Sequence, residues 1–411
     1  MKTKFIILTS IGLLALTLAK AQSRVLPLDS VLARINSANP ALLAYISSAN
    51  AQNEYAKGAN SLDAPQLSAG QYQTPYSFSP NMGSFMIQAN QNFANPAKLK
   101  AKEKYMQAQS AVTEQEQAYT KNQLLAQAKG YYYDQAVLER KLALLEKTRR
   151  LLEYMLKDAN IKLTYGKEKL SNIYKAKAEL FELDNTEEQL HNDIRQKTVM
   201  LNTLMNRDKQ TMFSVDTNIV VKDFEASLTD TASLAAARSD IKMIDRNIRL
   251  QQLNADMEYS KRKPDFGIQA GHMFSYGGVP NQYILMGSVS IPIVPWASKE
   301  YRANLKGIRY EIEALQNERE DKLNQAEGQL ASLKLDIASK KRQLKSYNQN
   351  IIPALQNSYK TALLAYEQNT GDLPTVLDGI RNLQLTRMEA LDRLQELLQL
   401  QVAYERENER N

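Results

Sequence analysis

The side chains best suited to chemistry are scarce in this chain and poorly arranged for it. There is no Cys, and the only two His are His191 and His272. Thiolate metal sites, thiol nucleophiles and disulfides are therefore excluded. The two His lie 81 residues apart and form no familiar His-based metal or acid–base set. No Ser-His-Asp set, carboxylate pair or phosphate-binding Gly loop stands out, so an enzyme is the reading with least support and no cofactor is expected. The 13 Met are scattered, with no Met-x-Met cluster, and read as packing residues. Of the net charge of +7, Lys2, Lys4 and Lys20 sit at the start and the remainder is spread thinly, which is no footprint for nucleic acid. The informative residues are of another kind. Gly166, Asn369 and Gly371 tolerate left-handed backbone, and Lys167, Lys169, Ser171, Thr370 and Asp372 flank them as candidates for docking a partner. Asp372 and Asp378 near the second turn either line a constriction or are solvated helix-end charges. Gly267, Gln269, Gly271, Ser288 and Ser290 are small or polar and alternate with apolar residues, as one wall of a water-filled passage would.

These residues are positioned by a chain with few breaks. Gly and Pro number 15 and 12 in 411 residues, while Gln, Leu, Ala, Lys, Glu and Asn dominate long stretches. That composition fits a few very long helices. Met1–Ala21 has a basic start, an apolar run from Phe5 to Leu18 and the exit Ala19-Lys20-Ala21, and it reads as a secretory signal peptide. The run is too short for a membrane-spanning helix of about 20 residues, and no Cys follows to carry a lipid.

The remainder divides into two repeats, 22–206 and 233–411, joined by a polar connector at 207–232 with one short strand expected at 212–221. Each repeat opens with a broken helix. Asn39-Pro40 interrupts the first and Ser239-Asp240 the second, and Pro65 and Pro264 close them 199 residues apart. A hairpin of strands follows, at about 65–94 and 264–294. Phe266, Ile268, Ala270 and Phe274 alternate with Gly267, Gln269, Gly271 and Met273. Tyr283, Leu285, Val289, Ile291 and Ile293 alternate with Met286, Ser288 and Ser290. Phe85, Ile87, Ala89 and Phe93 do the same in the first repeat, while 66–76 alternates poorly and is paired with it by position. Strands of about 10 residues cross a bilayer when tilted, although either hairpin alone also suits a soluble protein.

Long helical hairpins complete the repeats, at about 97–205 and 298–409. Leu124, Ala128, Tyr131, Gln135, Leu138, Leu142, Leu145, Arg149 and Leu152 step by 4 and 3 without interruption, a heptad seam. The second rod keeps such a seam from Ile308 to Ile351, with two successive four-residue steps at Arg319 and an expected kink at Pro353. Gly166 and Asn369-Gly371 fold the rods back, with Ser171 expected to cap the first returning helix. Trp296 and Tyr301 fit an interfacial aromatic girdle.

Four strands cannot close a barrel, and open edges are not tolerated in lipid. Several copies must therefore share one wall, and three copies give twelve strands. The expected fold is mainly α with a small β part: long antiparallel coiled-coil helices and four transmembrane strands per chain.

This order of elements resembles the TolC-type outer membrane efflux proteins. The match rests on Leu28-Asp29-Ser30-Val31-Leu32 through Asn39-Pro40, on Gly166-Lys167 through Ser171-Asn172-Ile173-Tyr174, and on Tyr366-Glu367-Gln368-Asn369 with Val376-Leu377-Asp378. Asn172 stands where Asp is commoner, Asn369 stands where Gly is usual, and Leu373 and Leu377 lie near positions where some relatives carry charged gate residues. The resemblance implies a homotrimer in the outer membrane of a Gram-negative bacterium, with a 12-stranded barrel in lipid and a helical tunnel in the periplasm. Its helix turns would meet a periplasmic adaptor, itself linked to a proton-driven inner-membrane transporter. Cargo would be metal cations or drugs, conducted passively. The alternatives are a duct for type I protein secretion and a periplasmic coiled-coil adaptor or structural stalk.

Overall fold

The computed structural model describes residues 25–77, 81–224 and 230–409. The expected signal peptide lies outside them. The elements run β1 (Val25–Leu26), α1 (Leu28–Ala38), α2 (Pro40–Lys57), β2 (Gln66–Tyr72), β3 (Ser84–Phe93), α3 (Pro96–Thr164) and α4 (Leu170–Leu204). Then come β4 (Ser214–Val215), α5 (Thr231–Ala237), α6 (Ser239–Ser260), β5 (Phe266–Ser275), β6 (Gln282–Val289) and α7 (Pro295–Ser346). A π-turn (Tyr347–Ile351), α8 (Ile352–Glu367) and α9 (Leu373–Asn408) complete the chain. The chain is mainly helical, as expected. Its two compact units cut across the repeats. One gathers residues through Leu43, Thr120–Asp230 and from Ala326 onward; the other comprises Ala44–Tyr119 and Thr231–Gln325.

The first unit is helical and built on the heptad seam. Leu138, Leu145, Leu152 and Ala159 of α3 meet Ile173, Ala176, Leu183 and Leu190 of α4 and Leu373, Val376, Leu377 and Ile380 of α9 in one core. Each fully buried Leu or Ile here contributes about 1.5–3 kcal/mol. The polar interruptions of the seam have partners. Gln135 is fully buried, donating to the Phe213 carbonyl at 3.0 Å and accepting from Thr198 Oγ1. Arg149 pairs with Asp184 and Glu187 of α4. Pro353 does not simply kink its rod. The helix widens into the π-turn just before it, with the Ile352 N–H bonded to the Tyr347 carbonyl. One inserted residue relieves the clash that a proline ring makes with the preceding turn.

A second core in the same unit joins the chain start to the connector. Val31 and Ile35 pack with Ala128, Tyr132, Leu201, Phe213 and Val215. The strand expected at 212–221 is only β4, paired parallel with β1. Tyr132, buried in this core, also ties the pair: its hydroxyl donates to the Leu26 carbonyl at 3.0 Å and accepts from the Asp216 N–H at 2.9 Å.

The second unit carries the antiparallel sheet, in the order β2-β3-β5-β6. The two hairpins therefore join through β3 and β5, leaving β2 and β6 as edges. Two strands stop short of expectation. β2 ends at Tyr72, because Gln73 takes a positive φ of 55° and Pro75 follows. β6 ends at Val289, so Ile291 and Ile293 lie outside it, because Pro292 and Pro295 lack the N–H a ladder requires. Asp265 ties the base of the sheet. It accepts from the Asn95 N–H at 2.9 Å and pairs with Lys98 at 2.6 Å, while its own N–H donates to Ser290 Oγ at 2.9 Å.

The helix breaks recur at the spacing of the prolines. Asn39 and Arg238, 199 residues apart, both take extended backbone (φ −70°, ψ 123° and φ −68°, ψ 128°). The break in the second repeat thus falls at Arg238, one residue before the expected Ser239-Asp240. Asn39 donates to the Leu204 carbonyl and accepts from the Ala41 N–H; Arg238 forms an ion pair with Asp240. The turn residues Gly166 and Asn369 are 203 apart, so the second repeat carries four more residues between its proline and its turn.

Candidate functional site

The two helix turns are built alike from different residues. Gly166 takes φ 68°, its N–H bonds the Leu163 carbonyl at 3.0 Å, and the Lys167 N–H reaches back to Lys162 at 2.9 Å. Asn369 takes φ 58°, its N–H bonds the Tyr366 carbonyl at 3.1 Å, and Thr370 reaches back to Ala365 at 2.9 Å. This paired 6→1 and 5→2 bonding is the left-handed stop that satisfies terminal carbonyls. Gly371 does not use positive φ. A Cβ there would lie 3.0 Å from that of Ala365, so this glycine permits a close approach. Asn in the left-handed region is less favourable than Gly. Asn369→Gly is accordingly expected to stabilise the turn by about 0.5–1 kcal/mol, read as a raised thermal midpoint, and Asn369→Ala to lower it.

The returning helices start differently. Ser171 does not cap α4. Lys169 holds the cap position, with φ −97° and ψ 139°, and Ser171 is already helical, where a capping side chain has no free N–H to serve. No side chain caps this helix; Glu168, just before it, accepts from the Lys169 N–H at 2.8 Å and Asn172 Nδ2 at 2.7 Å. Asp372 caps α9, accepting from the Thr375 N–H at 3.1 Å and from its hydroxyl. The Thr375 hydroxyl, then its N–H, hold the Asp372 carboxyl below the usual range. Asp378 is in an exposed pair with Lys175 at 3.0 Å, and Arg381 reaches Glu179 at 3.2 Å. Leu373 and Leu377 are buried in the core, so no charge occupies those two positions.

The turns share a cleft of about 640 Å³. Gly166, Lys167, Lys169, Ser171, Asn369, Gly371 and Asp372 line it; Thr370 does not. Buried Tyr366 also lines it, with Lys162 Nζ 3.5 Å above its ring and bonded to its carbonyl at 3.1 Å. Burial, then the charges of Asp158 and Glu168, push the Tyr366 hydroxyl far above the ordinary phenol range. Sequence reasoning used Tyr366 only as the start of the turn motif Tyr366-Glu367-Gln368-Asn369 and did not place it among the docking residues.

The register of the sheet sorts its side chains into two faces. Phe85, Ile87, Ala89 and Phe93 lie opposite Phe274, His272, Ala270 and Phe266, and Ala270 and His272 oppose Leu285 and Tyr283. The other face holds Gly267 opposite Ser288, Gln269 between Asn90 and Met286, Gly271 between Gln88 and Ile284, and Met86 opposite Met273. Four of the five expected wall residues therefore share one face. The fifth, Ser290, lies just past β6, where its N–H bonds the Asp265 carbonyl at 2.9 Å. The Met86–Met273 pair is packing that local sequence does not show, because adjacency across strands leaves no mark there.

The apolar face is the more exposed one. Along β5 exposure alternates strictly from Ile268 to Ser275, with each apolar-face residue exposed and each polar-face residue partly covered. A Cβ on Gly267 would overlap Ser288 Oγ, and one on Gly271 would come within 2.8 Å of Ile284. The sheet thus curls with its polar face inside. Aromatic pairs bound the apolar face at both ends, Phe93 with Phe266 and Phe85 with Phe274. They are eight residues apart, about 26 Å along a strand, close to the band of about 25 Å on lipid-spanning barrels. His272 stacks edge-on against Phe274 at 4.6 Å. Trp296 is 80% exposed in the first turn of α7, and Tyr301 is half-buried. One signal for this region was available in the sequence: residues 64–97 and 266–298 contain no Asp, Glu, Lys or Arg. No helix among the described residues is long and apolar enough to cross a membrane.

Solved structures share this fold. The outer-membrane channel OprN superposes with a TM-score of 0.75 at 14% identity, covering 93% of this chain and 89% of its own. CusC gives 0.75 at 15% identity, covering 93% and 91%. The open state of the Neisseria gonorrhoeae MtrE outer membrane channel gives 0.72 at 13%, covering 93% and 88%. No protein-family model matches the sequence, and no curated protein does. The chain therefore has the outer-membrane channel fold. That is the TolC-type architecture which the order of its elements resembles.

Proposed function

We propose that this protein is the outer membrane channel of a tripartite efflux system. Three copies would join their sheets edge to edge, β6 of one beside β2 of the next, into a 12-stranded barrel continued by a periplasmic helical tunnel. The observation that carries this reading is the direction of curl. A soluble sheet covers its apolar side, whereas here the central strand β5 has its polar side partly covered and its apolar side exposed, as lipid requires. The fold shared with outer-membrane channels supports the same reading. The turn residues Gly166, Lys167, Lys169, Ser171, Asn369, Thr370, Gly371 and Asp372 would meet a periplasmic adaptor. Asp372 and Asp378 would line the entrance, and a proton-driven inner-membrane transporter would supply the energy. The protein does no chemistry itself; its cargo of metal cations or drugs passes through.

The test is direct. Detergent extracts of outer membranes should yield a trimer that dissociates on heating, and the purified trimer should conduct in planar bilayers. A monomeric, non-conducting periplasmic protein would instead be a coiled-coil stalk.

A further inference from the structure

The polar face of the sheet combines pore-like curl with a complete lack of charge. No Asp, Glu, Lys or Arg occurs in β2, β3, β5 or β6. Its polar groups are mostly carboxamides, Gln88, Asn90 and Asn92 on β3, Gln269 on β5 and Gln282 on β6, with Ser288 opposite Gly267, and Met86, Met273, Ile284 and Met286 stand between them. His272 projects from the other face, in register with Ile87 and Tyr283. The nearest fixed charges in sequence, Asp63, Lys98, Asp265 and Lys299, all lie outside the strands, and Lys98 and Asp265 neutralise each other. Side-chain rings of one sign are what give a pore its preference for cations or anions. A wall of amides and hydroxyls offers both hydrogen-bond donors and acceptors and discriminates against neither.

We propose that the sheet forms a sign-neutral segment of the channel, passing anions, cations and uncharged polar solutes alike, so that any ion preference of the whole assembly originates outside β2, β3, β5 and β6. This rests on the pore reading and goes beyond it by assigning the permeation class of that segment. Gln269 is the position to test: it is mid-strand, partly covered, and flanked in register by Asn90 and Met286 rather than by any charge.

The experiment measures the potassium-to-chloride permeability ratio of the purified trimer in planar bilayers under a salt gradient. Wild type, Gln269→Glu and Gln269→Lys are compared, with Ser288→Asp as a second acidic variant. With no resident charge to oppose them, Glu and Lys should move the ratio in opposite directions, to values about tenfold apart, and Ser288→Asp should move it as Gln269→Glu does. Conducting channels whose ratio ignores all three substitutions would overturn the proposal. Absence of conductance from the wild-type trimer would overturn the pore reading itself, which keeps the two failures distinct.

Discussion

Arginine in place of Ala270 should keep the protein out of the outer membrane, while arginine in place of the adjacent Gln269 should be accepted. Ala270 lies at the middle of the apolar face, opposite Ala89 on one side and Leu285 on the other. A lipid-facing Arg at the bilayer midplane costs about 2–4 kcal/mol, and a trimer would carry the cost three times over. Gln269 points to the covered, polar side, where a guanidinium meets water and carboxamides. The measurement is the yield of heat-dissociable trimer in the outer membrane fraction. Equal yields from the two variants would mean that the faces of the sheet do not divide lipid from water.

The second large effect is expected at Glu405. Its side chain is 17% exposed and receives Lys129 Nζ at 2.6 Å from α3 and Lys222 Nζ at 2.5 Å from the connector. Gln401, one turn earlier, bonds the Lys222 backbone at both its N–H and its carbonyl. Burial pushes the Glu405 carboxyl up, but the two lysines outweigh it and hold the group below its ordinary 4.5. Glu405→Gln should cost about 3 kcal/mol, the low end for breaking a buried ion pair, because Lys222 is itself half-exposed. It should also open the connector to limited proteolysis. The pH dependence follows from the depressed value: the contribution is complete above the unfolded value near 4.5 and is lost as pH falls through the lower folded one. Wild type should therefore loosen its connector on acidification below about pH 4.5, whereas Glu405→Gln should be loose throughout. Cleavage that is equally slow in both proteins would remove Glu405 from this role.

Much of this architecture was legible because it depends on local rules repeated many times. The heptad steps from Leu124 onward, the prolines at 65 and 264, and the turn residues Gly166 and Asn369 each act within a few residues, and each marks an element that exists. The polar and apolar faces were legible for β5, where alternation is strict, and hardly at all for β2, whose Ala69 and Gly70 carry little pattern. What escaped depends on partners far along the chain. β4 exists only because β1 lies beside it, and Ser171 lost the cap because the chain re-enters the helix two residues earlier. The cleft between the turns needs residues some 200 positions apart. The π-turn escaped for a different reason: Pro353 announces a defect in the helix but not which defect relieves it.

The unequal spacing of the repeats bears on how such a chain avoids misassembly. Two halves of common pattern invite exchange, one hairpin taking the seat of the other while the protein is still folding. The spacing of 199 residues at the prolines becomes 203 at the turns, and four extra residues carry a helix about 40° past one full turn. A swapped rod would set its turn about 6 Å out of step with that of its neighbour. The length difference thus works as a key cut differently for each lock, letting a doubled sequence tell its own halves apart.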